Sequence, residues 1–130
     1  MCRPQVLIVA THSAFRGVLR DLLSGAPDID IVGEVANTAD LARTLERLAP
    51  QVVLVDINLA GGSGLSVSRE VSHHLLSTHV VILIEEDSRT YRQALLDAGA
   101  NALVRKASIA QLLIPCIRKL VGEEVVEDVG

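Results

Sequence analysis

The feature that most constrains the fold is an apolar stretch that ends on a carboxylate and then runs into glycine, VVLVDINLAGGSG at residues 52–64. The five residues from Val52 to Asp56 are too few for a helix, and their β-branched, apolar character indicates a strand buried on both faces. Ligands of open parallel sheets bind outside the carboxyl ends of the strands. Asp56 is therefore predicted to lie at a functional edge. The alternative is that its carboxylate only caps the following helix.

Short apolar runs alternate with segments of helical periodicity along the rest of the chain. The runs at 6–9, 29–35, 79–84 and 101–104 predict four further strands. Apolar spacings of three and four predict five helices, which begin near Ser13, Asn37 or Thr38, Leu65, Asp87 or Ser88, and Ser108. This alternation predicts one domain, residues 1–121, with a parallel sheet covered by helices on both faces. Residues 122–130 are acidic and are predicted to form a tail or the start of a linker.

Each helix is predicted to bury one apolar face. In the first helix this face comprises Phe15, Val18, Leu19, Leu22 and Leu23, and in the fifth it comprises Ile109, Leu112, Leu113, Cys116, Ile117 and Leu120. Gly99 is predicted to end the fourth helix in a left-handed conformation. Pro115 stands in the middle of the fifth helix, where it removes one backbone hydrogen bond, so we expect a kink there rather than a break.

Composition limits the classes of function that fit the chain. The 130 residues are 49% hydrophobic but include one Phe, one Tyr and no Trp, so a binding face of stacked aromatic rings is excluded. The net charge of −4 gives no attraction for a phosphate backbone, and we expect no nucleic-acid binding by this chain alone. No apolar run approaches the ~18–20 residues of a membrane span and no signal peptide is recognised, so a cytoplasmic protein without membrane contact is expected.

Four separated segments carry a resemblance to a known family: VLIVATHSAFRGVLRDLL, PDIDIVGEVANTADLARTL, QVVLVDINLAGGSGLSV and TYRQALLDAGANALVRKAS. In order and spacing they resemble the receiver domain of bacterial response regulators, more closely the kind that precedes a LuxR/NarL-type DNA-binding domain. The resemblance implies a flavodoxin-like (CheY-like) α/β fold, doubly wound, with a five-stranded parallel sheet of order 2-1-3-4-5 and five helices. It also implies that Asp56 is the position that accepts a phosphoryl group from a sensor histidine kinase.

The functional positions of this family are only partly retained. The resemblance implies two acidic residues after the first strand that hold Mg²⁺ with the phosphoacceptor, and these positions are Ala10 and Thr11 here. The Ser or Thr that reads the phosphoryl group at the end of the fourth strand is replaced by Ile84. The lysine of the fifth-strand motif is retained as Lys106.

These replacements predict a crevice without an ordered metal ion. Mg²⁺ is bound mainly through one or two carboxylates with phosphate oxygens and waters, so this cofactor of the family is expected to bind weakly or not at all near Asp56. Without a metal, Asp56 and Lys106 are predicted to form an ion pair; the alternative is a solvated surface lysine. Asn58 and Glu85 are expected to line the crevice. Glu85 and Glu86 could replace the missing acids, but a simply solvated loop is the favoured interpretation.

Two classes of function remain, and a third is weaker. The preferred hypothesis is a degenerate receiver, a signalling module and not an enzyme, with at most residual self-phosphorylation. It would form a homodimer through its fifth helix and regulate transcription through an attached or partner DNA-binding domain. The alternative is a receiver that still accepts a phosphoryl group on Asp56 from a sensor histidine kinase. The third hypothesis is a pseudo-receiver that senses a small molecule in the crevice.

Overall fold

The structure, a computed structural model, describes residues 4–59, 64–74, 77–85 and 89–122, apart from the side chains of His74 and Tyr91. The described elements alternate along the chain. They are β1 (Gln5–Val9), α1 (Ser13–Leu23), β2 (Asp30–Val35), α2 (Leu41–Leu48), β3 (Val52–Asp56), α3 (Gly64–His74), β4 (His79–Ile84), α4 (Arg89–Asp97), β5 (Ala102–Arg105), a short 3-10 helix (Lys106–Ser108) and α5 (Ile109–Val121).

The five strands form one parallel sheet of order β2-β1-β3-β4-β5. Every residue of β3 is buried, because this strand is central in the sheet and both of its faces are covered. The predicted fold class, a doubly wound α/β sheet of order 2-1-3-4-5 with five helices, is confirmed. Among the residues that the structure describes, no helix combines the length and apolar character needed to cross a membrane.

The strands divide the core into two clusters, one on each face of the sheet. Alternate residues of β1 and β3 point to opposite faces, so that Leu7 and Val53 join one cluster while Ile8 and Leu54 join the other. The first cluster includes buried residues of α2, α3 and α4, and the second includes buried residues of α1 and α5. The helices α1 and α5 therefore cover one face of the sheet, and the other three helices cover the opposite face.

The first helix begins at Ser13, as the sequence predicts, although its N-cap is His12 and not Ser13 itself. The predicted start of the second helix is wrong. The second helix begins at Leu41 and not near Asn37 or Thr38, because the Asn37 side chain accepts a hydrogen bond from the Ala39 N–H (2.9 Å) and so favours a turn. The start predicted at Asp87 or Ser88 and the acidic segment 123–130 lie outside the described residues.

Two residues of the predicted helix faces are half exposed. Val18 on α1 is 50% exposed and Leu112 on α5 is 52% exposed. The buried residues of α5 are Ile109, Leu113 and Ile117, spaced four apart, so only a narrow stripe of this helix contacts the sheet. Val18 and Leu112 lie outside the buried stripes, and their prediction as buried residues is wrong.

The helix α5 continues through Pro115 without a break. The prediction that this proline does not split the helix is confirmed, and the kink stays a prediction. The prediction for Gly99 is confirmed as well, because this residue follows α4 with a φ of +112°. Ala49, which caps the C-terminus of α2, also has a positive φ, of 43°.

Candidate functional site

The carboxyl ends of β1, β3 and β4 lie side by side and bring Asp56 to the middle of one sheet edge. Asp56 pairs in register with Leu83 of β4, and Val55 pairs with Val9 of β1. The Asp56 carboxylate is 2% exposed although it is charged. A carboxylate buried to this extent requires hydrogen bonds or an opposite charge, because removal from water penalises its ionised form.

Both requirements are met by near neighbours of Asp56. Its Oδ1 accepts a hydrogen bond from the backbone N–H of Asn58 at 3.0 Å. The same oxygen lies 2.7 Å from Nζ of Lys106, so the two residues form an ion pair. The interpretation of Lys106 as a solvated surface residue is wrong, because its side chain is only 19% exposed.

Lys106 is held by more than one partner. Its Nζ lies 3.1 Å from Oε2 of Glu85 and 4.9 Å from the centre of the Phe15 ring. Burial alone would lower the pKa of Lys106, but hydrogen bonds to Asp56 and Glu85, together with attraction to both carboxylates, raise this pKa above its usual value. The ammonium group is therefore charged at neutral pH.

Glu85 reaches the crevice, and its interpretation as part of a simply solvated loop is wrong. Its side chain is 59% exposed, yet Oε2 contacts Lys106 and also accepts a hydrogen bond from the Asn58 amide at 3.3 Å. Glu85 directly follows β4, so the end of that strand places its carboxylate beside the end of β3. Glu86 lies outside the described residues. The structure thus brings Asp56, Asn58, Glu85 and Lys106 together.

The other predicted crevice residues offer little chemistry. Ala10 is 0% exposed and Ile84 is 1% exposed, and both have apolar side chains. The Thr11 hydroxyl donates a hydrogen bond to the carbonyl of Ala36 at 2.9 Å, on the loop after β2. These three positions supply no carboxylate to the site.

Two site residues were not recognised in the sequence. The helical pattern predicts Phe15 as a core residue, but its ring also faces the Lys106 ammonium. Arg16 Nη1 donates to the carbonyls of Ala10 (2.7 Å) and Thr11 (3.0 Å), while its Nε contacts Glu34 at 3.1 Å. A signal for Arg16 was present, since a cation in the first turn of α1 lies close to the end of β1. The sequence did not reveal which acceptors it would find.

The donor atoms around Asp56 do not fit a divalent metal ion. The Asp56 and Glu85 carboxylates both contact the Lys106 ammonium, and the carbonyls of Ala10 and Thr11, just after β1, accept hydrogen bonds from Arg16. Among the described residues, no group of three or more His, Cys, Asp or Glu side chains could hold a metal. A Mg²⁺ ion beside Asp56 would meet the Lys106 ammonium where it needs oxygen ligands.

The sequence matches a known protein family over most of its length. The family model described as the response regulator receiver domain matches residues 6–118, which is most of the chain. The nitrate/nitrite response regulator protein NarP of Escherichia coli is 32% identical over 114 residues, and the response regulator protein VraR of Staphylococcus saprophyticus is 31% identical over 124 residues. The matches cover 88% and 94% of this chain but 53% and 58% of those proteins. The chain thus spans little more than half the length of these curated relatives.

Solved structures agree on the fold. The receiver domain of the putative response regulator NarL from Mycobacterium tuberculosis superimposes with a TM-score of 0.79 at 23% identity, covering 91% of this chain and 98% of that one. A LuxR-family DNA-binding response regulator from Staphylococcus aureus gives a TM-score of 0.81 at 24% identity, covering 90% of this chain and 98% of that one. Together with the match to the family model, these similarities identify the chain as a member of the response regulator receiver domain family, with relatives of the LuxR/NarL type.

Proposed function

We propose that this domain is a degenerate receiver that signals through protein contacts, largely without the usual Mg²⁺-dependent phosphorylation. In the intact system it would regulate transcription through an attached or partner DNA-binding domain. The observation that carries the proposal is the Lys106 ammonium 2.7 Å from Asp56, in a crevice where Ala10 and Ile84 are buried and apolar. The domain would comprise residues 1–121, and 122–130 would be an acidic tail or linker.

The chemistry of phosphoryl transfer supports this proposal. Transfer to a carboxylate needs cations that neutralise the charge on the transferring oxygens. Removal of one such electrostatic stabiliser typically costs ~2.7–4 kcal/mol, or a hundredfold to a thousandfold in rate. Neither Ala10 nor Thr11 supplies the carboxylate that would help to hold a metal. At most a residual self-phosphorylation of Asp56 is expected, so the domain would not act as an enzyme.

The second candidate is a receiver that is still phosphorylated on Asp56 by a sensor histidine kinase. Receivers in this family are phosphorylated by such kinases. The retention of Asp56 at the end of β3 and of Lys106 just after β5, with their charged groups in contact, favours this candidate. A crevice that binds a small molecule has less support, because Ala10 and Ile84 are 0% and 1% exposed and offer a ligand almost no surface.

A phosphodonor assay separates the first two candidates. The protein is incubated with Mg²⁺ and acetyl phosphate, and intact mass spectrometry measures the fraction that carries one phosphoryl group. We expect no adduct above that of an Asp56→Asn control. A variant with Ala10→Asp, Thr11→Asp and Ile84→Thr restores the family's side chains and should gain a Mg²⁺-dependent adduct. A comparable adduct on the unmodified protein would show the second candidate to be correct.

The protein contact through which the domain would signal is a homodimer interface formed by α5. A shallow groove of about 610 Å³ runs between β5 and α5, with Leu112, Pro115 and Leu120 among its lining residues. Leu112 is 52% exposed and borders this groove together with Pro115 and Leu120, and such a group of apolar side chains suits a contact surface. Receivers that require no phosphorylation would offer this surface in the resting state.

Sedimentation velocity tests this contact. We expect a weak or moderate dimer at high micromolar concentration that the Leu112→Glu substitution converts to a monomer. Leu96→Glu is the matched control, because Leu96 is 38% exposed and lies on α4, on the opposite face of the sheet. A parent protein that stays monomeric, or an equal effect of both substitutions, would contradict the proposed interface.

A further inference from the structure

Two carboxylates from different strand ends converge on one ammonium group. Asp56 Oδ1, at the end of β3, lies 2.7 Å from Lys106 Nζ, and Glu85 Oε2, just after β4, lies 3.1 Å from it. The Asn58 side chain donates to Glu85 at 3.3 Å, while its backbone N–H donates to Asp56 at 3.0 Å. Asn58 therefore links the two carboxylates and favours their approach to the same point.

The ammonium is enclosed on a further side by an aromatic ring. Nζ lies 4.9 Å from the centre of the Phe15 ring, within the range in which a ring face attracts a cation. The Lys106 side chain is only 19% exposed. The carboxylates and the ring thus form a site for one positive charge, and the lysine fills it.

We propose that Glu85 is a positioning residue that holds the Lys106 ammonium as the resident cation of the crevice, and that this cation keeps divalent ions away from Asp56. The proposal rests on the proposed function and deepens it. It explains weak metal binding by the Lys106 ammonium and by Glu85, which holds it, in addition to the absence of carboxylates at Ala10 and Thr11. A divalent ion would have to displace the ammonium from both carboxylates and would then be repelled by it.

Lysine reactivity tests the role of Glu85 directly. The chain has only two lysines, Lys106 and Lys119, and the exposed Lys119 on α5 serves as an internal control. Acetylation by an active ester, followed by peptide mass spectrometry, should modify Lys106 more slowly than Lys119. Because Glu85 is more than half exposed, Glu85→Gln should accelerate modification of Lys106 by about threefold, the effect of an exposed ion pair.

A second carboxylate variant controls for charge alone. Glu46→Gln removes an exposed carboxylate from α2, and it should leave the reactivity of Lys106 unchanged. Lys119 should react at the same rate in all three proteins. If Glu85→Gln does not change the modification rate of Lys106, or if Glu46→Gln changes it equally, Glu85 does not position the lysine and the proposal is overturned.

Metal binding tests the resident cation itself. Without the ammonium, Asp56 and Glu85 leave two carboxylates that face each other, which suits Mn²⁺. Lys106→Met should therefore gain a rise in melting temperature with millimolar Mn²⁺ that the parent protein lacks. Lys106→Met with Glu85→Gln should lose this gain, and Lys106→Arg, which keeps a cation, should not show it.

The outcomes distinguish this inference from the proposed function. If Lys106→Met folds but gains no response to Mn²⁺, the missing acids alone exclude the metal, so the inference fails and the proposed function stands. If the parent protein itself binds Mn²⁺ and is phosphorylated, the inference about Lys106 and the proposed function both fail. If Lys106→Met does not fold, the acetylation rates of the Glu85→Gln and Glu46→Gln variants decide the proposal.

Discussion

Gly99 has a backbone conformation and a neighbour that together exclude a side chain. Its φ is +112°, and a Cβ at this position would overlap the hydroxyl of Ser72 on α3. Gly99→Ala is therefore expected to lower the free energy of unfolding by about 2–4 kcal/mol, from the strained conformation and the overlap together. Urea denaturation measures this change at a constant slope of free energy against urea concentration.

Ala49 provides the matched test in the opposite direction. It has a φ of 43° at the C-terminus of α2, where glycine is favoured. Ala49→Gly should raise the free energy of unfolding by about 0.5–1 kcal/mol, because relief of the left-handed strain exceeds the entropy lost by glycine. A loss of stability in both variants would contradict the assignment of strain to positive φ.

The charge of Lys106 gives a pH dependence. Burial opposes the charged form, but the hydrogen bonds to Asp56 and Glu85 and their charges raise the pKa of Lys106. A raised pKa stabilises the folded state below the unfolded pKa of about 10.4, and this stabilisation is lost as pH rises through the folded pKa. The difference in free energy of unfolding between the parent and Lys106→Met should be constant near neutral pH and shrink in alkaline solution. If the difference in free energy of unfolding between the two proteins grows as the pH becomes alkaline, the pKa of Lys106 is not raised in the folded state.

At the scale of the element, α5 combines a buried stripe with an exposed apolar side. Ile109, Leu113 and Ile117 contact the sheet, while Leu112 and Pro115 line the groove beside β5. A proline inside a helix removes one hydrogen bond and crowds the preceding turn, at a cost of ~3 kcal/mol in an ordinary helix. Because Pro115 lies on the groove side, it would help to set the angle at which a second subunit meets α5 in the proposed dimer.

Pro115→Ala should therefore change association more than folding. We expect the dimer dissociation constant to shift severalfold in sedimentation equilibrium, because loss of the predicted kink would alter the angle of the contact surface. No loss of thermal stability is expected. Gln111→Ala, at an exposed α5 position outside the groove lining, is the control and should associate like the parent. If Pro115→Ala has the same dissociation constant as the parent, the proline does not shape the interface.

At the scale of the whole molecule, the sheet order places every site residue at one edge while the two core clusters hold the layers together. The edge can therefore change its chemistry with little change in the fold. Ala10 and Thr11, which supply no carboxylate, directly follow β1, and this strand is fully buried from Val6 to Val9. We therefore expect stability and metal binding to be separable properties of this domain.

Added ligands should consequently leave the stability of the whole domain unchanged. Neither Mg²⁺ nor a beryllofluoride phosphate mimic is expected to shift the melting temperature appreciably, because a ligand present well below its dissociation constant from the folded state adds almost no stability. The control is the variant with Ala10→Asp and Thr11→Asp, which should respond to Mg²⁺. Stabilisation of the parent by several degrees with either reagent would contradict the proposed function.

The sequence by itself determined the order of the strands and helices and the position of Asp56. A continuous apolar run such as Val52–Val55 indicates a strand that is covered on both faces. In a parallel sheet, the carboxyl ends of such strands then lie at the same edge. The pairing of Asp56 with Lys106 was predictable for the same reason. The start of the second helix was less predictable, because an Asn side chain can accept a hydrogen bond within a turn as readily as it can cap a helix, and Asn37 does the former.

Only the tertiary structure decided which side chains complete the site and which apolar residues stay exposed. Glu85 and Lys106 form their ion pair although they are 21 residues apart in the chain. Arg16 donates to the carbonyl of Ala10 only because its side chain adopts one particular conformation. Periodicity places Leu112 near the buried face of α5, but the width of the stripe depends on how the helix lies on the sheet. Local sequence patterns carry the period of an element, whereas contacts between strand ends depend on distances that arise only when the layers pack.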